Sequence, residues 1–223
     1  MDMDRHNSRG TPVTIIVHHL ENSRSQRILW MLDELGLPHE IKRYERNKTT
    51  MLAPPELKRI HPLGKSPVIE DTDDNGRVVA ETGAIVEYLV DKGDGRLGAP
   101  ANRAGALDYR FWLHYAEGSM MPPLLVKLVL MRVPFFGKRI ATRIQPMIDV
   151  HLDFVESTLA SRPWFAGAEM TAADIMMSFP LEAARSRAGL DSSRPATIAW
   201  LDKIHARPAY QSALGKGGPY AYA

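Results

Sequence analysis

The sequence predicts an α/β domain followed by an all-helical one. Three observations carry this. Strand-like β-branched runs alternate with helically spaced apolar residues up to about residue 92. A glycine-rich stretch, Gly93-Asp-Gly-Arg-Leu-Gly-Ala-Pro100, then breaks the pattern. Beyond it no convincing strand follows. The expected organisation is a flexible tail over 1–12, a mixed domain over 13–92, a linker over 93–103 and a helical domain over 104–223.

The elements follow in order. Val13 to Val17 is a β-branched run suited to a buried strand. A polar segment, His18 to Arg27, holds two candidate helix caps, Asn22 and Ser23. Ile28, Leu32 and Leu35 recur at helical spacing, and Gly36 is placed as a stop. Pro38 begins the exit, and His39 to Tyr44 reads as a second strand, making a right-handed βαβ unit. Residues 54–60 form a short helix with proline in its first turn. Pro67 to Glu70 and Val78 to Ala80 are short strands around the turn signal Asp73-Asp-Asn-Gly76. A helix from about Thr82 to Val90 closes the domain. Helices are expected over 104–131, 137–160, 172–187 and 195–207, with Pro122-Pro123 bending or breaking the first.

Composition excludes several functions. The net charge is +2 and no basic block suits a phosphate-tracking groove, so no nucleic-acid partner is expected. The chain has no cysteine, which removes disulfides, thiolate metal sites and a Cys nucleophile. No metal site is expected. No apolar run reaches the ~18 residues of a membrane span, and no signal-peptide core precedes residue 13. The expected location is cytoplasmic, with no membrane partner.

Two motifs point to a ligand. Ser66-Pro67 enters a strand, where proline must sit at an edge or a start. It reads either as a plain loop proline or as a cis turn that offers the Ser66 N–H and C=O to a peptide-like ligand. Glu81-Thr82 stands at a helix mouth. Thr82 either caps the helix or, with free helix N–H groups, holds a carboxylate while Glu81 takes an ammonium. Lys65 supplies a further positive point. Ser23 and Asn22 lie in the loop after the first strand, where α/β folds place ligands, and act either as caps or on a ligand atom. Arg24 and Arg27 steer an anion or face solvent. His18 and His19 read as structural.

These residues together resemble the cytosolic glutathione transferases. The marks are Ser23-Arg-Ser-Gln-Arg27, Gly64-Lys-Ser-Pro-Val68, Glu81-Thr-Gly-Ala-Ile-Val86, and Trp164-Phe-Ala-Gly167 followed by Thr171-Ala-Ala-Asp174, in that order over nearly the whole chain. The resemblance implies a thioredoxin-like amino-terminal domain, an all-helical carboxyl-terminal domain and a homodimer. It implies that Pro67 is cis and that the Ser66 backbone meets the cysteinyl part of glutathione. It places Glu81 and Thr82 at the γ-glutamyl end and Lys65 at the glycine carboxylate. Thr171 and Asp174 match a buried capping box that serves folding.

The activating residue is narrowed by what is missing. The first tyrosine is Tyr44, too late for a tyrosine type, and no cysteine exists. A serine type remains, theta-like or from a related fungal and bacterial group that shares His-X-Leu-X-X-Ser-Arg-Ser. Ser23 is the first choice and Asn22 the second. The expected activity is conjugation of glutathione, as cosubstrate, to a small electrophile. Glutathione-dependent peroxide reduction, dehalogenation and non-catalytic glutathione binding are the alternatives. Phe111, Tyr115, Ser119 and Met121 lie near one face of the first long helix and line the electrophile's side or pack in the core.

Overall fold

The computed structural model describes residues 14–222; the tail expected over 1–12, and Val13 of the first strand, lie outside them. Four strands form one sheet in the order β2-β1-β3-β4: β1 Ile15–Leu20, β2 His39–Tyr44, β3 Val68–Asp71 and β4 Arg77–Ala80. β1 and β2 run parallel, while β3 is antiparallel to β1 and to β4. Helix α1 (Ser25–Leu35) makes the crossover between β1 and β2. Its apolar stripe Ile28, Leu29, Leu32 and Leu35 is buried, and it ends on Gly36 at φ 64, a left-handed stop. A short α2 (Leu57–Ile60) precedes β3, and α3 (Thr82–Lys92) follows β4. The thioredoxin-like half thus forms as expected, with strand limits shifted by up to three residues, the largest at β1, which runs on from Val17 to Leu20.

The second half is helical: α4 Arg103–Tyr115, α5 Met121–Met131, α6 Gly137–Ala141, α7 Gln145–Ser161, α8 Ala172–Arg187, α9 Pro195–His205 and α10 Pro208–Gly217. The expected bend or break at Pro122-Pro123 takes the form of an interruption of the α-helix just before the prolines. A π turn, Ala116–Met120, joins α4 to α5, and the prolines follow in the first turn of α5. α10 was not foreseen; it starts on Pro208 and packs along α1.

α8 is the axis of the core. Every residue from Ala172 to Ala184 is buried, although Pro180 lies inside the helix. At its start Asp174 is fully buried and accepts three hydrogen bonds, from the Thr171 N–H (2.9 Å), the Thr171 hydroxyl (3.1 Å) and the Phe165 N–H (3.1 Å). Burial pushes its carboxyl up to about 6, against these donors. The expected capping box is therefore present.

Candidate functional site

Sheet register brings the two ligand motifs together. Val68, the first residue of β3, pairs with His18 on one side and Ala80 on the other. Ser66-Pro67 and Glu81-Thr82 therefore emerge side by side at the end of the sheet where β1 also finishes. The Ser66-Pro67 bond is cis. Ser66 Oγ donates to the His18 carbonyl (2.7 Å) and accepts the Leu20 N–H (3.2 Å), which ties the turn to β1. Among the described residues the Ser66 N–H and C=O have no partner, so the edge is open to an extended ligand. Lys65 beside it is exposed.

Glu81 is exposed and sits at φ 75, ψ 122, a left-handed-side backbone that a non-glycine residue adopts at a cost of order 1–3 kcal/mol. Its carbonyl accepts the Ile85 N–H (2.9 Å), so it opens α3. Thr82 is buried as the first helical residue. Among the described residues no side chain caps α3, so the capping role open to Thr82 is not the one observed. The first N–H groups of α3 remain available for an anion.

The same Leu20 N–H that meets Ser66 also lies 3.2 Å from Ser25 Oγ. Ser25 Oγ contacts Ser23 Oγ (2.8 Å) and His19 Nδ1 (2.8 Å), and Ser23 Oγ accepts the Ser25 N–H (3.2 Å). Ser23 is 6% exposed, so its hydroxyl sits inside this network at the mouth of α1. Burial lowers His19 to about 4, which keeps the ring neutral as an acceptor. Asn22 adopts φ 49; its Oδ1 accepts the Ala221 N–H (2.7 Å) and its carbonyl accepts from Arg46 (3.3 Å). The carboxyl-terminal segment thus braces the loop that carries both candidate activators. His18 is fully buried, with Nε2 at 2.6 Å from Glu70 and Nδ1 at 2.8 Å from the Tyr44 hydroxyl.

Arg24 is partly exposed and Arg27 is buried, and both are engaged by one carboxylate rather than free for an anion. Arg24 Nε donates to both Glu117 oxygens (2.9 and 3.0 Å), and buried Arg27 donates to Glu117 and to the Met176 carbonyl (2.6 Å). Burial alone pushes the Glu117 carboxyl up, but Arg27 and Arg24 outweigh it and hold it below the usual range. Ser25 and Glu117 were missed in the sequence. Ser25 repeats Ser23 two residues on, a signal of sorts; Glu117 carries no local one.

Phe111, Tyr115 and Ser119 line one concavity of about 400 Å³ with Leu107, Arg110 and His114. Met121 does not join them: it is 4% exposed in the core, two residues past Ser119 and so on the far side of the helix. Phe111 stacks on Tyr115 (5.2 Å) and meets Phe154 of α7 edge-on (5.9 Å). Tyr115 is hydrogen-bonded to His151, also on α7. These side chains lean on α7, whereas Glu117 of the same helical run meets α1. No group of His, Asp and Glu among the described residues is arranged to hold a metal.

Residues 23–92 match the glutathione S-transferase N-terminal domain and residues 121–208 match the glutathione S-transferase C-terminal domain. The chain belongs to the glutathione S-transferase family. Glutathione S-transferase 3 of Schizosaccharomyces pombe is 35% identical over 91% of this chain and 87% of its own. A glutathione S-transferase structure from Actinobacillus pleuropneumoniae has a TM-score of 0.80 at 34% identity, covering 91% of this chain and 92% of that one. A glutathione transferase family member from Pseudomonas fluorescens, solved with two glutathione bound, has a TM-score of 0.77 at 26% identity, covering 93% and 95%. The family's two-domain fold is the one described above.

Proposed function

We propose that this chain binds glutathione at the end of the sheet and conjugates its thiolate to a small electrophile. The observation that carries the reading is the pairing of Ser66-Pro67 with Glu81-Thr82 through the Val68–Ala80 register. The cysteinyl backbone adds to the unpartnered Ser66 edge. Glu81 takes the ammonium, the uncapped start of α3 with Thr82 takes the γ-glutamyl carboxylate, and Lys65 takes the glycine carboxylate. A negative residue beside an anion site fits a ligand that carries both charges.

The thiol then lies at the mouth of α1. The Ser23 hydroxyl and the helix N–H groups favour the thiolate over the thiol. The thiolate attacks an electrophilic carbon; a C–S bond forms and the leaving group departs with its electron pair. Asn22 is the second candidate for the donor. The chain works as a homodimer in this reading. Leu107 and Phe111 on α4 with Val150 and Phe154 on α7 are large, apolar and 43–68% exposed, and they offer a self-complementary face. Phe111 belongs to this face, while the concavity it shares with Tyr115 and Ser119 remains the place proposed for the electrophile.

A second reading has support from one observation. Ser23 is buried and already bonded to Ser25, so glutathione binding without turnover is the alternative. The deciding assay measures conjugation of a general aryl halide with wild type, Ser23→Ala and Asn22→Ala. The transferase reading expects wild-type turnover and a loss of about ten- to a hundredfold in Ser23→Ala. Unchanged rates in Ser23→Ala with a loss in Asn22→Ala move the role to Asn22. Binding with no wild-type turnover supports the second reading. A panel of peroxides and haloalkanes assigns the electrophile class.

A further inference from the structure

Helix α5 and the residues after it differ from the rest of the chain. From Gly118 to Ile148 there is no Asp or Glu, while Lys127, Arg132, Lys138, Arg139 and Arg143 supply five positive charges. Among the described residues none of the five is paired with a carboxylate. The same stretch exposes large apolar side chains. Phe135 is 99% exposed and Phe136 68%, flanked by Val129 and Val133 at 56% and 45%.

The two phenylalanines stand on a built turn. The Val133 N–H bonds to Leu130 and the Ile140 N–H to Phe136, both at 3.0 Å. A Cβ at Gly137 would come within 2.0 Å of the Leu130 carbonyl, so only glycine lets the chain pass there. Phe135 sits at φ 62, in the left-handed region that a bulky side chain rarely adopts. The fold holds an aromatic side chain clear of itself, with the exposed Arg132, Lys138 and Arg139 within four residues of it in the chain.

We propose that this face docks on the surface of a lipid bilayer with anionic headgroups. Phe135 and Phe136 insert at the interface, and Arg132, Lys138 and Arg139 meet the headgroups around them. Aromatic rings favour the boundary between headgroup and acyl chain, and clustered cations add attraction to an anionic leaflet. The charge decides against a second copy as occupant. An isologous contact through this turn would bring Arg132, Lys138 and Arg139 of one copy up to the same three of the other, with no carboxylate in the segment to offset them. The lack of a spanning segment, from which no membrane partner is expected, bears on crossing a bilayer and not on lying against one. The proposal is independent of the glutathione reading.

Co-sedimentation of the full chain with vesicles tests it. Phosphatidylcholine vesicles are compared with phosphatidylcholine–phosphatidylserine vesicles, at low and high salt. The expected result is at least about tenfold tighter binding to the anionic vesicles, weakened by salt. Two double variants, Phe135→Ser with Phe136→Ser and Lys138→Glu with Arg139→Glu, each lower that binding by about tenfold or more, with thermal unfolding unchanged. All four residues are exposed, so the fold does not depend on them. No binding to anionic vesicles, equal binding to neutral ones, or binding that survives both double variants overturns the proposal. So does a shift in oligomeric state of the phenylalanine variant in lipid-free buffer, which assigns the face to a second copy.

Discussion

Arg27 of α1 and Glu117 of the π turn form an ion pair that joins the sheet domain to the helical one. The Arg27 side chain is 2% exposed, and Arg24 shares the same carboxylate. Removing the acid leaves a buried guanidinium without a countercharge. Glu117→Gln is expected to lower stability by about 3 kcal/mol, read as the midpoint of chemical denaturation. An unchanged midpoint means that the pair contributes nothing net.

His19 sets an acid limit. Its folded value, about 4, lies below the 6.5 of an unfolded chain. Between these values the unfolded state binds a proton that the folded state refuses, so stability falls as pH drops through the window. The full difference corresponds to roughly 3 kcal/mol. His19→Gln should remove this acid-side loss, so that the variant loses less unfolding free energy than wild type between pH 6.5 and 4. An identical profile in wild type and variant contradicts the assignment.

Asp174 acts in the opposite sense. Its carboxyl is raised from 3.8 to about 6, so in that window the folded state holds the extra proton and stability falls as pH rises. Asp174→Ala nonetheless destabilises, because three donors lose their acceptor. The expected loss is about 2–4 kcal/mol by denaturant titration at neutral pH. Unchanged unfolding removes the capping box from the account of the fold.

The outcome at each residue shows what a sequence can carry. Ser66-Pro67 and Glu81-Thr82 were legible because each motif adjoins a short strand, and the Asp73–Gly76 turn between the strands fixes their register. The caps were less legible. Ser, Thr and Asn near a helix start read as caps, yet Asn22 bonds to Ala221 and, among the described residues, no side chain caps α3. Glu117 was invisible as a partner, since 93 and 90 residues separate it from Arg24 and Arg27. Met121 takes the core-packing alternative, because the two-residue step from Ser119 turns about 200° around the helix. α10 was passed over because its few buried positions, Tyr210, Ala213 and Gly217, follow Pro208 too closely to stand out from the preceding helix.

In the proposed reading glutathione lies between Ser66 and Glu81. Calorimetric titration of glutathione into wild type and Glu81→Gln tests it most directly. Saturable one-site binding to wild type is predicted, with affinity lowered by about tenfold or more in the variant, because the ammonium loses its carboxylate. No heat of binding to wild type, or equal affinity for both proteins, would contradict it.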